Sequence, residues 1–579
     1  MNVLFLTAET EDASGHFQKV FLEGLRELGP GLLVLCAFDL KSPELDQQAE
    51  VGGPTLLVSA ERGKVFLGPL CRAGRAPCLG CLRHWLATAH FDRPVPGSSP
   101  GIEEARLASE LVRNAAERFE RAGSVPEMEA VLTTVETGSG RRTAHSIFPL
   151  KDCSRCGPVT EERGYELRIH CSAATGIVRS MQLTSSEAAG AFRASADWVS
   201  PLPLIGVRPL LGVQQAYGRG ATQADAMNGC IGEALERYSL IYRGDEALVR
   251  ASMSESGERG VRVIDPRSIT LYSERQYASR EEWNRSRDER YFVGERFDPD
   301  MEIDWIAAED VQTGEHVLAP AACSLMWYEF PAGAAQYASA DTVGCGSGRT
   351  FSDALLHALY EWIERDAMAI WWYNRAKRPA VRLESFEDER LMRARESMRC
   401  IGRDLFLLDV TSDVGIPAYV SVAPQRDGSE PIFAGAAHRS PRVAAWKAAS
   451  EVGQLWYVPV KERSIDSEIR DWVEHATLQS EAYMAPACET NAPVEPDGCS
   501  KAEELAEVLG KLGRAGLTAY AVDLSRPDVV LRTARAIVPE MRHIWHRLGP
   551  GRLYNVPVEL GWRDAALPEE ELNSIPCMI

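Results

Sequence analysis

The stretch Gly344-Cys-Gly-Ser-Gly-Arg-Thr-Phe-Ser-Asp-Ala-Leu-Leu-His-Ala-Leu-Tyr-Glu-Trp-Ile-Glu-Arg365 is a glycine-rich turn running into a helical pattern. Leu355, Leu359, Trp362 and Ile363 recur at the 3.6-residue period and are expected to pack inward, leaving Glu361, Glu364 and Arg365 together on the opposite side. Taken alone, a Glu-x-x-Glu-Arg face reads as a solvated helix surface with an i,i+4 pair. A second copy changes that reading. Shifted by 128 residues, Gly218-Arg-Gly-Ala-Thr-Gln-Ala-Asp-Ala-Met-Asn-Gly-Cys-Ile-Gly-Glu-Ala-Leu-Glu-Arg237 lies over Gly346 to Arg365 without a gap. Gly218/Gly346, Gly220/Gly348, Thr222/Thr350, Asp225/Asp353, Ala226/Ala354, Glu233/Glu361, Glu236/Glu364 and Arg237/Arg365 coincide. A repeat that keeps Gly-x-Gly and the acidic face while varying the apolar filling points to two related helices placing acids around one site.

The chemistry that wants this set is metal-assisted nucleotide handling. Carboxylates are hard oxygen ligands for Mg²⁺, Mg²⁺ bridges phosphate oxygens, arginines neutralise phosphates, and glycines let backbone N–H groups approach at a helix N-terminus. Four acids suggest more than one metal. Gly344-Cys-Gly-Ser-Gly-Arg-Thr is one residue too short for G-x-x-x-x-G-K-[ST] and lacks its lysine, so it is no familiar P-loop.

On these residues the chain resembles the YcaO family, whose members bind Mg-ATP and activate peptide-backbone amides. The resemblance extends to Trp305–Pro320, Leu408-Asp-Val-Thr-Ser-Asp-Val-Gly-Ile-Pro417, Ala448-Ala-Ser-Glu-Val-Gly-Gln454 and Val522-Asp-Leu-Ser-Arg526, and so covers about residues 200–579. It implies that Glu233, Glu236, Glu361 and Glu364 hold Mg²⁺ and phosphates, with Arg237 and Arg365 countering charge or bracing the carboxylates. Glu236, Glu364 and Arg365 are the implied catalytic set. A third acidic helix, about Pro441–Leu455, places Glu451 and Gln454 three apart, as the acids of the first two helices are. With Arg219 they are further nucleotide-site candidates. Gly229 departs from the family, which often has a small hydroxyl residue four before the first acid.

Length, charge and cysteines set the context. At 579 residues the chain is too long for one ordinary core, so two or more domains are expected. A hydrophobic content of 45% and a charged content of 25% are globular values, and a formal charge of −20 argues against a nucleic-acid groove. No run approaches the roughly 20 apolar residues of a membrane span, and Met1-Asn-Val-Leu-Phe-Leu6 has no basic flank, so a cytoplasmic protein is expected. The 14 cysteines then read as thiols or metal ligands rather than disulfides.

Met1–Leu6 and Gly31–Phe38 read as short buried strands with Phe17–Leu28 an amphipathic helix between them, a small α/β domain. Cys78-Leu-Gly-Cys81 and Cys153-Ser-Arg-Cys156 are two Cys-x-x-Cys hooks 71 residues apart, the usual make-up of a structural Cys₄ zinc site. The competing readings are a redox dithiol, for which one hook suffices, and four unrelated buried cysteines. Gly68–Trp85 resembles the zinc-bearing segment of the ThiF-like domains that accompany peptide cyclodehydratases. Ancestral ThiF-like proteins use a glycine-rich nucleotide loop, and Thr7-Ala-Glu-Thr-Glu-Asp-Ala-Ser-Gly15 is not one, so this domain is expected to be a docking scaffold. Residues 100–195 alternate a charged helix, Glu103–Ala122, with strand-like pieces. Trp198-Val-Ser-Pro-Leu-Pro-Leu-Ile-Gly-Val-Arg-Pro209 reads as an inter-domain connection, and charged Glu281–Arg290 as a surface loop. The expected organisation is an α/β chain: a ThiF-like zinc domain over 1–195 and a YcaO α/β domain of repeated helix and sheet elements over 196–579.

The resemblance implies an ATP-dependent cyclodehydratase using ATP, Mg²⁺ and Zn²⁺ on a ribosomally made precursor peptide. A Cys, Ser or Thr side chain attacks the preceding carbonyl, the oxyanion takes the γ-phosphoryl group, and phosphate leaves to give an azoline. Oxidation to a thiazole or oxazole needs a separate flavin-dependent dehydrogenase. Relatives that act alone carry a winged-helix-like leader-binding module, which the 195 or so residues here leave little room for, so a separate leader-binding protein is expected. A homodimer is an allowed assembly. One departure is the tail Leu572-Asn-Ser-Ile-Pro-Cys-Met-Ile579, which has one proline where azoline-forming relatives tend to have Pro-x-Pro-x-Pro. The rival readings are YcaO-type thioamide formation from an external sulfur source, a non-catalytic scaffold of the same fold, and a general ATPase or kinase with its own phosphate loop.

Overall fold

The computed structural model describes residues 2–6, 11–25, 32–37, 53–72, 75–88, 100–150, 153, 155–156, 166–186, 191–200, 214–286, 291–455 and 467–577. Its described residues form a mixed α/β chain, as expected, with four sheets among them. β1 (Asn2–Leu6), α1 (Glu11–Gly24) and β2 (Leu33–Ala37) make the first unit, with β1 and β2 parallel. Phe17, Phe21 and Leu25, four apart on one face, are buried against the sheet. β3 (Thr55–Glu61) continues the parallel run, and β4 (Lys64–Cys71) turns back antiparallel. α2 (Leu79–Thr88) and α3 (Ile102–Ala122) precede β5 (Val131–Glu136) and β6 (Arg142–Ser146), which complete a six-stranded sheet in chain order. Of the stretch Thr7–Gly15, residues 7–10 lie outside the described residues.

β7 (Val178–Ser186), β8 (Ala191–Trp198) and β9 (Gln214–Gly220) form an antiparallel three-stranded sheet. The expected boundary near residue 195 falls inside β8, where Ser195 is opposite Gln182 on one side and Tyr217 on the other. The two parts of the chain are thus joined by sheet at this point. They also share a core, which runs from Leu35 and Leu57 through Trp85 and Trp198 to Leu235 and Val522. The expected connection at Trp198–Pro209 lies mostly outside the described residues.

α4 (Gln223–Leu240) follows β9 and packs back on it. β10 (Leu248–Ser252), α5 (Arg280–Ser286), β11 (Glu302–Asp310), β12 (His316–Pro320), β13 (Cys345–Gly348) and α6 (Phe351–Tyr373) come next. α5 replaces the expected charged loop at Glu281, although 287–290 lie outside the described residues. Two uncharged side chains anchor this helix: Trp283 Nε1 donates to Tyr291 O at 2.7 Å, and the Asn284 amide exchanges hydrogen bonds with the Val293 backbone. β14 (Ala380–Val381), β15 (Phe406–Asp409), β16 (Ala418–Ala423), β17 (Ile432–Ala437) and β18 (Glu489–Thr490) make a sheet of order β17-β16-β15-β14-β18, crossed by α7 (Pro441–Leu455). β19 (Tyr520–Asp523) and β20 (Arg532–Ile537) return to complete the order β10-β11-β19-β20-β13, with β12 on β11.

α6 packs against both of these larger sheets, which explains why it is apolar nearly all round, from Leu355, Leu359, Trp362 and Ile363 to Trp371 and Trp372. Asp366, directly after the acidic face, is fully buried. Arg552, on α8 (Arg552–Glu559), grips it with both Nε and Nη2 at 3.1 and 2.6 Å and reaches Asp413 at 2.7 and 2.9 Å. Arg542 N also donates to Asp366 at 2.8 Å. The Leu408–Pro417 stretch singled out in the sequence therefore fixes the rotation of α6. Removing one partner of such a pair strands a buried charge, so Asp366→Ala is expected to lower unfolding free energy by about 3–5 kcal/mol. Denaturant titration checks this, and a loss under about 1 kcal/mol would contradict it.

Candidate active site

The two repeats fold as the same strand–turn–helix unit, β9–α4 and β13–α6. Each helix opens with a capping box: Thr222 Oγ1 accepts from Asp225 N at 3.1 Å, and the Asp225 carboxylate accepts from Thr222 N at 3.3 Å. Thr350 and Asp353 repeat the pair at 3.1 and 3.2 Å. The glycines serve this packing. A Cβ on Gly218 would stand 2.0 Å from Ala226 O, and one on Gly346 would stand 2.2 Å from Ala354 O, so each strand lies directly on its own helix. Gly229 differs: a Cβ there would meet nothing closer than Arg219 O at 3.8 Å, so it leaves space beside Arg219.

That packing aims the acidic faces of both helices at one recess. Glu233 accepts from Tyr217 N at 3.0 Å and pairs with Arg237; Glu361 accepts from Gly344 N at 3.0 Å and pairs with Arg365 at 3.3 Å. Glu364 lies 3.0 Å from Arg365 Nη1. Glu451 arrives on α7 and is bound by Arg219 Nη2 at 2.7 Å. Between the two helices, Ser347 on β13 faces Glu236 and donates to Gly232 O at 3.4 Å. Every sequence-predicted residue of this set with a described side chain therefore lies in the cluster. The Gln454 side chain lies outside the described residues, while its backbone continues α7.

Burial, and then the neighbouring carboxylates Glu361 and Glu233, push Glu236 up to about 8. Burial also pushes Glu364 up to about 8, with Glu451 and Glu361 adding to it against Arg365. Glu233 and Glu361 are raised as well, by burial, although Arg237 and Arg365 respectively oppose it. So many acids in one recess are a poor proton-free arrangement and a good one for a divalent cation. Arg365 Nε is buried with no hydrogen-bond acceptor among the described residues, a donor left for an anion. These residues fit Mg²⁺ and nucleotide phosphates on chemical grounds.

The sequence reading missed two residues at this recess. Lys447 stands one turn before Glu451 on α7; burial lowers its pKa, and Glu364 and Glu451 face it. The i,i+4 spacing to Glu451 was the available signal. Asp341 faces Glu361 and lies 2.8 Å from His543 Nε2. Burial works against its charge, but His543 and then Arg535 hold its carboxyl well below the usual range. No local pattern marks that pair, because its members are two hundred residues apart. The tail also reaches this region: Asn573 N donates to Tyr373 O at 2.8 Å, Trp372 Nε1 donates to Ile575 O at 2.7 Å, and buried Cys577 falls within electrostatic reach of Arg365 and Glu364. Residues 578–579 lie outside the described residues.

Elsewhere, the four hook cysteines converge, their sulfurs all within 4.8 Å of one another. Cys78–Cys153, Cys81–Cys156 and Cys78–Cys81 are 3.6, 3.7 and 3.9 Å apart. Zn–S bonds of about 2.3 Å in a tetrahedron require an S–S edge of about 3.8 Å, so the set fits a Cys₄ metal. Leu150 N donates to Cys81 Sγ at 3.4 Å. Among the described residues no helix is long and apolar enough to cross a membrane.

The raised acids make the metal-free protein pH-sensitive in a definite direction. Folded Glu236 and Glu364 hold their protons up to about pH 8, against an ordinary value of 4.5. The folded state therefore carries more protons than the unfolded one between those limits, and the stability they contribute is lost as pH rises through 8. Metal-free protein is expected to lose melting temperature from about pH 6 to about pH 8.5 more steeply than Glu236→Gln or Glu364→Gln, and Mg²⁺ is expected to recover it. Equal slopes in all three proteins would contradict this.

The chain is similar to several known proteins. The heterocyclase TruD is 26% identical, with a TM-score of 0.76 over 100% of this chain and 84% of its own. A heterocyclase in complex with substrate and cofactor is also 26% identical, with a TM-score of 0.85 over 99% of this chain and 85% of its own. An uncharacterized protein of Methanothermobacter thermautotrophicus is 25% identical over 334 residues, 56% of this chain and 80% of its own length. The family model described as YcaO cyclodehydratase, ATP- and Mg²⁺-binding, matches residues 217–542, which span both repeats and α7, and the chain belongs to the YcaO family.

Proposed function

We propose that this protein is an ATP-dependent peptide cyclodehydratase that converts Cys, Ser or Thr residues of a ribosomally made precursor into azolines. The observation that carries the reading is the convergence of two Glu-x-x-Glu-Arg faces with Glu451 and Arg219 in one recess. Glu233, Glu236, Glu361 and Glu364, with Glu451 beside them, would hold Mg²⁺. Arg219, Arg237 and Arg365 would meet phosphate oxygens, and Gln454, one turn along α7, would extend the nucleotide site. Bound Mg²⁺ supplies charge to the phosphates, while the residues orient the γ-phosphoryl group toward an oxyanion. The side chain of the peptide residue gives up its proton and attacks the preceding carbonyl carbon, the resulting oxyanion takes the γ-phosphoryl group of ATP with release of ADP, and loss of phosphate and the amide proton leaves the C=N bond. Glu236, Glu364 and Arg365 stand at the centre of this arrangement.

The Cys₄ cluster would carry structural zinc through Cys78, Cys81, Cys153 and Cys156, making the amino-terminal part of the chain a docking platform for a leader-binding protein. A separate leader-binding protein and a downstream flavin-dependent dehydrogenase complete the proposal.

The test is mass spectrometry of a precursor peptide incubated with this protein, ATP and any leader-binding partner. The expected product has lost one water per modified residue. Glu236→Ala and Glu364→Ala should each abolish peptide-dependent ATP turnover, and about one zinc per chain should be present in the same preparation. Exchange of oxygen for sulfur in the peptide would contradict cyclodehydration in favour of thioamide formation, and full turnover in both variants would contradict the site.

A further inference from the structure

The Cys₄ cluster and the carboxylate cluster are connected by a short run of polar side chains, of which Asp528, Tyr238 and Arg243 are buried and His84 is partly exposed. α2 leaves the first cysteine hook, and His84, one turn beyond Cys81, brings Nε2 to 3.5 Å from Asp528 Oδ2. Asp528 lies in the connection between β19 and β20 and is almost fully buried. It accepts from Tyr238 OH at 3.2 Å and pairs with Arg243 Nη1 at 3.7 Å. Tyr238 directly follows Arg237 on α4, and the Arg243 guanidinium covers its ring at 4.5 Å. Burial opposes the Asp528 charge, yet His84 and Arg243 hold its carboxyl well below the usual range.

A second set of contacts runs beside the first. Leu150 N meets Cys81 Sγ, and Trp85 Nε1 donates to Phe148 O at 2.6 Å. The His170 ring lies against both Trp85 and Phe148, and its Nε2 accepts from Val530 N at 3.3 Å. Arg526, in the same connection, donates to Ile241 O at 3.0 Å, at the C-terminal end of α4. The connection is held by the cysteine module on one side and by the end of the catalytic helix on the other.

The network is under-satisfied in a way that simple packing is not. His84 Nε2, Asp528 Oδ1 and Arg243 Nε and Nη2 are buried with no hydrogen-bond partner among the described residues, so His84 meets Asp528 as a charge contact at 3.5 Å. What the network does is tie three elements together: Asp528 of the β19–β20 connection is shared by His84 on α2 and by Tyr238 and Arg243 at the end of α4, and removing one partner leaves a buried charge less compensated. We propose that His84 and Asp528 are positioning residues that couple the Cys₄ module to α4, setting where Glu233 and Glu236 stand in the recess. Any change of the module that shifts α2 then changes nucleotide affinity, and nucleotide binding is felt at the module in return. This coupling rests on the reading of the recess as a Mg-ATP site.

The test is a double-mutant cycle on His84→Ala and Tyr238→Phe, with His84→Gln as a conservative rescue. Calorimetric Mg-ATP dissociation constants, KM and kcat of peptide-dependent ATP turnover, zinc content and melting temperature are read for each protein. His84→Ala is expected to keep wild-type zinc content and melting temperature, and to raise the Mg-ATP Kd and KM about fivefold with a smaller change in kcat. His84→Gln, whose amide can donate to Asp528, should recover most of the affinity, and the double variant should be less impaired than the product of the single effects. An unchanged Kd in His84→Ala, multiplicative effects in the cycle, or losses that follow zinc content or melting temperature would overturn the coupling alone. A wild-type protein that binds no Mg-ATP would overturn the site reading and the coupling with it.

Discussion

Like charge held in one recess is the constraint on which the rest of the structure depends. Glu233, Glu236, Glu361, Glu364 and Glu451 face one another, with Arg219, Arg237 and Arg365 as their guanidinium partners. Carboxylates remain in excess, and burial with mutual repulsion raises Glu236 and Glu364 to about 8. Without a cation the recess keeps protons; with one it can ionise fully. A cluster of this kind survives only if its scaffold cannot relax outward. The scaffold meets that demand by laying β9 and β13 so closely on α4 and α6 that neither Gly218 nor Gly346 has room for a side chain.

The surrounding elements follow from the same demand. α6 is buried along nearly its whole length, and its rotation is fixed just past Arg365 by the Asp366–Arg552–Asp413 network. The tail is bound along the end of that helix through Asn573 and Ile575. α4 is held at its far end by the β19–β20 connection, which the cysteine module also touches. The amino-terminal part of the chain is continuous with the catalytic part through β8 and a shared core, so a change in one has a physical route to the other.

Much of this was legible in the sequence because the repeat wrote it twice. The matching of Thr222/Thr350 and Asp225/Asp353 is now explained as two capping boxes, and the apolar period of Leu355, Leu359, Trp362 and Ile363 gave the buried face directly. The paired hooks Cys78/Cys81 and Cys153/Cys156 also came together as their spacing implied. The packing role of Gly218 and Gly346 was not legible, because a Gly-x-Gly before a helix looks the same whether backbone meets a ligand or its own helix. Residue 195 looked like a boundary because the prolines after Trp198 suggest a linker, whereas β8 pairs with its chain neighbours β7 and β9 on either side of that point. Asp341 with His543, and Asp366 with Arg552, pair residues too distant for any local period to reveal.

The central claim is that the two repeats make one site whose excess negative charge is completed by a divalent cation carrying a nucleotide. Calorimetric titration of the full chain with a non-hydrolysable ATP analogue, in the presence and absence of Mg²⁺, tests it most directly. Saturable binding that requires Mg²⁺ and releases protons from the glutamates at pH near 7 is the predicted result. Equal affinity with and without Mg²⁺, or no binding in either condition, would contradict it.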